Sequence, residues 1–314
     1  MILTCGEALF DMFARPSDAS GGHGVSIDGV VGGSPLNVAL GLSRMGTAAG
    51  LFTRISTDLL GRRLRAFMAD NGVLDRYCVE TDNLTTVALV ETGLDGHPRY
   101  SIYCNGTADC SMEPSDIPER LGDDVDVIHL GSFATVFEPT GNTLRTLARR
   151  EADARFISFD PNVRTMVVAD LDLWRQRIGE MLPLAGLVKA SDEDVGLLWP
   201  GKPLEWFIEQ ALVAGADLAF VTRGPNGAIA GSADGRLTHV PGIAVDVVDT
   251  VGAGDTFMAA CLHSLKANDL VGAGKARNAD IAEVAGFAVR ASALTCTRRG
   301  ADLPTLAEIE AFAG

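Results

Sequence analysis

The stretch of this chain best suited to chemistry is Asp249-Thr250-Val251-Gly252-Ala253-Gly254-Asp255-Thr256-Phe257. A small, glycine-rich turn runs straight into an apolar helical pattern, Met258-Ala259-Ala260-Cys261-Leu262. Gly252, Ala253 and Gly254 keep side chains clear, so successive N–H groups can face an anion at the start of the helix. Fixed donors of that kind stabilise the charge on a phosphoryl group in transfer. Asp255 follows in the first helical turn, where a carboxylate can orient and deprotonate a hydroxyl, an effect of about 10²–10⁴ in rate. Taken alone, a GxGD turn reads equally well as an ordinary glycine-rich helix entry. The full nine-residue string favours the chemical reading.

Two other nucleotide signatures are missing. There is no GxxxxGK[ST], which excludes a P-loop NTPase. Gly252 and Gly254 begin a GxG, but the third glycine is absent and no opening βα unit carries one, which disfavours a dinucleotide dehydrogenase. The formal charge of −15 leaves no basic stripe for nucleic acid. The six cysteines form no CxxC pair and no zinc spacing. The N-terminal MILTCGEALFDMF has acids early and no basic n-region, and no apolar run reaches membrane-spanning length. These features point to a cytoplasmic protein with reduced thiols and no membrane partner.

Strand–helix alternation must position the chemical residues. With 314 residues, 47% of them hydrophobic and only 21% charged, the chain can build one large core. Apolar runs at 2–5, 125–130, 155–159, 186–190 and 218–222 predict buried strands. Helices are expected at 34–45, 59–71, 139–151, 171–182, 192–198, 203–214, 254–267 and 278–294. Ser34 is expected to cap the first of these, with Pro35 at its first position. Asp58 precedes the second, and Gly72 ends it. Alternation of this kind implies a parallel sheet with helices on both faces. Residues 86–103 differ: two alternating runs around TGLDGHP predict a β-hairpin. With residues 12–31 it forms a candidate lid. A second hairpin is expected at 227–231 and 236–240.

DTVGAGDTFMAAC resembles the C-terminal signature of the ribokinase-like, or PfkB, carbohydrate kinases. Gly32-Gly33-Ser34-Pro35-Leu36-Asn37-Val38-Ala39, followed by Gly46, Asp58 and Gly61, resembles their N-terminal signature. Between them, in order, fall Asp160-Pro161-Asn162-Val163-Arg164 and Thr222-Arg223-Gly224-Pro225-Asn226-Gly227, and Gly6-Glu7-Ala8-Leu9-Phe10-Asp11 opens the chain. The resemblance implies a three-layer α/β/α fold, mostly parallel in its sheet, with a small β-lid. It implies a single kinase domain over 1–314 with the lid at about 12–31 and 86–110.

The resemblance also implies roles. Asp255 is the catalytic base, and Gly252, Ala253 and Gly254 form the anion nest. Asp11, Gly32, Gly33, Asn37 and Tyr103 face the sugar, as does Arg164, which also suits a phosphate. By residue type alone, Asp11 serves equally as a turn cap and Arg164 as a surface ion-pair partner. Thr222, Gly224 and Gly227, with Ser191, Gly252 and Gly254, fall on the ATP side. Arg223 stands where relatives often have an apolar residue. Ala285-Gly286-Phe287-Ala288 and Gly300-Ala301 fall where the family packs adenine and a monovalent-cation loop, and Asp249 belongs with that cation, K⁺. The family's Asn-x-x-Glu, which orders Mg²⁺-bound water, is here Ser191-Asp192-Glu193-Asp194. Ser191 and Asp194 take its two places, or the register runs through Glu193, or the stretch is a helix cap. The partners implied are a sugar, ATP and a second copy docked through the lid.

GEALFD and DPNVR resemble the fructokinase branch most. The 2-keto-3-deoxygluconate kinases share much of the pattern but commonly carry an Arg near Tyr103, where this chain has Cys104 and Asn105. A neutral sugar, fructose, is therefore expected. A sugar- or nucleotide-binding regulator without catalysis is a more remote reading, because it needs no base at 255.

Overall fold

The computed structural model describes residues 1–17, 23–92 and 98–312. Its strands, in chain order, are β1 (Ile2–Cys5), β2 (Leu9–Ser17), β3 (Gly24–Gly32), β4 (Ala49–Ser56), β5 (Leu74–Thr81), β6 (Val87–Thr92), β7 (Pro98–Tyr103), β8 (Val127–Gly131), β9 (Phe156–Asp160), β10 (Leu187–Ser191), β11 (Leu218–Thr222), β12 (Ala228–Ser232) and β13 (Leu237–Val240). Nine of them form one sheet in the order β13-β12-β11-β10-β9-β8-β1-β4-β5. The strands from β11 through β5 run parallel, and β12 and β13 are antiparallel at one edge.

The helices are α1 (Ser34–Arg44), α2 (Leu59–Asp70), α3 (Thr140–Glu151), α4 (Leu171–Met181), α5 (Asp192–Leu198), α6 (Leu204–Ala214), α7 (Ala253–Ala267), α8 (Ile281–Cys296) and α9 (Leu306–Ala311). Because successive strand residues point to opposite faces, each apolar run feeds two cores. Ile2, Leu218 and Phe220 pack with α1, α2, α7 and α8. Leu3, Cys5, Ala219 and Val221 pack with α3, α4, α5 and α6. Trp174, Phe159 and Phe220 are almost wholly buried. Burial of a side chain of this size contributes roughly 1.5–3 kcal/mol each, which secures the three layers.

The parallel arrangement brings the C-terminal ends of β1, β8, β9 and β10 to one edge. Ligands of open α/β sheets bind at that edge, because the strand-to-helix loops gather there. The remaining strands form a second sheet in the order β3-β2-β6-β7. In it β2 pairs antiparallel with β3 and parallel with β6, and β6 pairs antiparallel with β7. The hairpin read at 86–103 is therefore β6–β7, although its turn lies outside the described residues.

Three strands escape the sequence reading. β4 and β5 are central and edge members of the large sheet, and β2 extends the GEALFD run into the small one. The expectation for Ser34 is corrected. The N-cap of α1 is Gly33, with φ 110, and no side chain caps the helix. Ser34 stands one position inside, its hydroxyl free for another partner. Asp58 does cap α2, accepting from the Gly61 N–H at 2.7 Å. Gly61 is dictated by closeness, since a Cβ there would stand 2.0 Å from the Ser56 carbonyl oxygen. This tail of the N-terminal signature is thus architectural.

Candidate active site

The nest at the head of α7 is built as its residues suggest. Gly252 is the N-cap in the left-handed region, φ 80, a conformation that favours glycine. Its missing side chain also lets Ala301 approach, since a Cβ would lie 3.0 Å from the Ala301 Cβ. Ala253 and Gly254 open the helix, and Asp255 follows in its first turn, 8% exposed. The Asp255 Oδ1 accepts from the Ser34 hydroxyl at 2.6 Å, and Oδ2 accepts from the Asn37 side-chain amide at 2.8 Å. Ser34 and Asn37 are three residues apart on α1, so they share one helix face. The N-termini of α1 and α7 therefore converge on one carboxylate.

This carboxylate lies on the wall of a cavity of about 580 Å³. Glu7, Gly33 and Asn37 form one side; Gly252 and Gly254 flank Asp255 on another. Arg164 lines it from the loop after β9, and Glu193 from the first turn of α5, directly after β10. The small sheet roofs it with Asp11, Phe13, Val90 and Ile102. Arg164 is the only lysine or arginine among these described lining residues.

Asp11 sits in mid-strand opposite Val30, not in a turn, which removes the capping alternative. Burial pushes its carboxyl up to about 6, while the nearby Arg164 pulls it down. Gly32 makes room for it: a Cβ there would stand 2.4 Å from the Asp11 Oδ2. Arg164 makes no ion pair among the described residues, which removes its surface-pair alternative. Its guanidinium donates to the Val163 carbonyl at 3.0 Å and faces the cavity.

Two buried groups went unassigned by residue type. Glu7 is 2% exposed, and its Oε1 accepts from the Ser34 N–H at 3.3 Å. Burial pushes its carboxyl up to about 7, against the Ser132 hydroxyl that holds it lower. Its Oε2 has no hydrogen-bond partner among the described residues. Behind the nest, Lys189 and Asp160 form a buried ion pair at 2.8 Å. Burial opposes the Lys189 charge, but the carboxylates of Asp160, Asp194 and Asp255 more than offset it and raise its pKa. A Cβ on Gly254 would stand 3.1 Å from the Lys189 Nζ, so the ammonium underlies the nest. Charged residues inside an apolar strand signalled both, but their meeting depends on strands 29 residues apart.

Two expected site residues, Tyr103 and Asp194, are placed differently, and so is Cys104, the position compared with the Arg of other kinases. Tyr103 is 62% exposed and does not line the cavity, because strand alternation turns its neighbour Ile102 inward instead. Cys104 is buried in the core beside Cys110 and does not line the cavity either. Asp194 is committed to a capping box at the start of α5. Its Oδ2 accepts from the Ser191 N–H at 3.0 Å, its Oδ1 accepts from the Val163 N–H at 2.9 Å, and the Ser191 hydroxyl accepts from the Asp194 N–H. Glu193, exposed on the cavity wall, is the carboxylate that this stretch presents.

Ser191 and Thr222 are register partners at the ends of β10 and β11, beside the cavity rather than in it. Gly224 and Gly227 follow with φ 50 and 80. Gly227 has a packing reason as well, since a Cβ would meet the Val240 carbonyl oxygen at 2.1 Å. Arg223 folds back to donate to the Asn226 carbonyl at 2.8 Å. The Asp249 carboxylate accepts from the N–H groups of Val251 and Gly300, at 3.1 and 2.9 Å, and ties the nest loop to residues 296–300. The described residues hold no cluster of three or more metal-binding side chains. No helix among them is long and apolar enough to cross a membrane.

A carboxylate beside a glycine-rich helix entry at the C-terminal edge of a parallel sheet, roofed by a second small sheet, is the arrangement expected of a ribokinase-like kinase. Residues 1–308 match the model of the pfkB family carbohydrate kinases, and the chain belongs to that family. It is 38% identical over 280 residues to a fructokinase of Rhizobium leguminosarum bv. trifolii, covering 86% of this chain and 81% of the relative. It is 31% identical over 287 residues to a fructokinase of Escherichia coli, covering 89% and 90%. The fold superposes on the crystal structure of a Xylella fastidiosa fructokinase with bound ATP at a TM-score of 0.87. That pair is 27% identical, with 99% and 97% of the two chains covered.

Proposed function

We propose that the chain is an ATP-dependent fructokinase that phosphorylates a hydroxymethyl group of fructose. The observation that carries this reading is Asp255, held through both oxygens at the mouth of the α7 nest and facing a polar, roofed cavity. In the reaction Asp255 takes the proton of the sugar hydroxyl. The oxygen forms a bond to the γ-phosphorus, the bond to the bridging oxygen breaks, and ADP leaves with the electron pair. The nest N–H groups at Gly252, Ala253 and Gly254 stabilise the equatorial oxygens in transit. Asp11, Gly32, Gly33 and Asn37 hold the sugar, since a carboxylate, an amide and open backbone suit hydroxyls that both donate and accept. Arg164 meets the transferring phosphate.

Ser191, Thr222, Gly224 and Gly227 lie where the adenine nucleotide would extend from the nest. Mg²⁺ would be held by Glu193 through water together with phosphate oxygens, in keeping with a cation that retains much of its water. It would supply neutralisation of phosphate charge. Asp249 and the 296–300 loop would hold K⁺. Residues 12–31 and 86–110 act as a lid on a single kinase domain, closing to exclude water from the transfer. The outer face of β3 exposes Val25 and Ile27, at 62% and 53%, which supports docking of a second copy through the lid. Six free cysteines, four of them buried, support a cytoplasmic setting.

The test is ADP release with ATP and Mg²⁺ across ketoses, aldoses, ketodeoxy acids and nucleosides, with and without K⁺. Fructose should give the highest kcat/KM. Turnover of none of them would overturn the kinase reading and leave a binding protein.

A further inference from the structure

We propose that Ser34 is a positioning residue for the base, its hydroxyl holding the Asp255 carboxylate in the plane in which it meets the sugar. This role rests on the kinase reading above. A serine at a helix entry ordinarily turns its hydroxyl onto the N–H groups of its own first turn. Ser34 does not. Gly33 is the N-cap, no side chain caps α1, and the Ser34 hydroxyl donates instead to Asp255 Oδ1 at 2.6 Å. The two residues are 221 positions apart in sequence, and both are buried.

The backbone carrying that hydroxyl is clamped. The Ser34 N–H donates to Glu7 Oε1 at 3.3 Å. Gly33 brings the chain so near that a Cβ would lie 2.5 Å from the Glu7 carbonyl oxygen. On the other side, a Cβ on Gly6 would lie 2.8 Å from Pro35 Cγ. The Gly6-Glu7 turn therefore fixes where the Ser34 hydroxyl can point.

The chemistry explains the need. The terminal torsion of an aspartate is broad, so one hydrogen bond leaves its carboxylate free to swing. Donors on both oxygens, Ser34 and Asn37, fix the plane. Both residues line the cavity, but the Asn37 amide has a second proton and an oxygen to offer the sugar, whereas the Ser34 hydroxyl commits its single donor to Asp255. Ser34 itself gains and loses no proton.

The experiment compares wild type, S34A and S34T in the full chain, by steady-state kinetics and by calorimetry of fructose and ATP binding. S34A should lower kcat by ~10-fold or more, the loss expected for one hydrogen bond to a charged group. KM for fructose and for ATP should stay within ~3-fold, because the lost bond is to the base and not to either substrate. S34T, which keeps the hydroxyl, should recover most of the turnover. Wild-type kcat in S34A would overturn the role, as would a rise in KM with kcat unchanged. Loss of substrate binding in both variants would also overturn it, by making Ser34 part of the scaffold. Inactivity of the wild type itself would strike down the kinase reading and this role with it.

Discussion

Replacing Asp255 by asparagine removes the base and leaves nearly everything else in place. Losing a general base costs at least ~10² in kcat, or about 2.7 kcal/mol of transition-state stabilisation. The structural cost is much smaller. The new side-chain amide keeps an acceptor for the Ser34 hydroxyl, but sets an NH₂ against the Asn37 side-chain amide, which donates in the wild type. A turned Asn37 amide restores the match, so the mismatch costs about 1 kcal/mol or less. Asp255 also repels the buried carboxyls of Glu7 and Asp160 and attracts the Lys189 ammonium, so neutralising it relieves two interactions and weakens one. Asp255→Asn should therefore melt within a few degrees of wild type and bind fructose and ATP with similar affinity. Its turnover, followed as ADP release, should fall by ~10² or more. Wild-type turnover would refute the assignment of the base. Loss of binding together with turnover would show that Asp255 is scaffold rather than base.

Fructose should slow amide exchange in residues 12–31 and 86–110; protection confined to α7 would refute lid closure. Fructose should be preferred over 2-keto-3-deoxygluconate by at least ~10-fold in kcat/KM, about 1.4 kcal/mol, because Arg164 is the only described lysine or arginine lining the cavity and is needed at the phosphate. Cys104→Arg cannot narrow that gap, since Cys104 is core; Ile102→Arg should narrow it, and equal use of the acid by wild type would overturn the choice of fructose. The folded chain holds the Glu7 proton up to about 7 against 4.5 for an ordinary glutamate. That contribution is complete below pH 4.5 and lost as the pH rises to about 7. Between about pH 5 and pH 8, Glu7→Gln should therefore gain stability relative to wild type, by up to ~3 kcal/mol in thermal or urea unfolding. No relative gain would mean that Glu7 is not buried as described.

Local signals carried much of this protein. The nest and its base are contiguous, so Gly252 to Asp255 declare their geometry in four residues, through the conformational needs of glycine and the polarity of a helix start. The strands at 2–5 and 218–222 are legible because a strand covered on both faces must be apolar throughout. Where the meaning of a residue depends on a distant partner, residue type misled or fell silent. Ser34 looks like a cap, yet donates to a carboxylate 221 positions away. Asp194 looks like a metal-site oxygen until the N–H groups of Ser191 and Val163 claim it. Tyr103 and Ile102 are indistinguishable until the pairing of β6 with β7 decides which faces inward, a choice that a one-residue slip would reverse. Glu7 and Lys189 acquire their shifted ionisation only from burial and from neighbours distant in sequence. Short-range stereochemistry is written residue by residue along the chain, whereas burial and charge pairing come into being only when the sheet assembles.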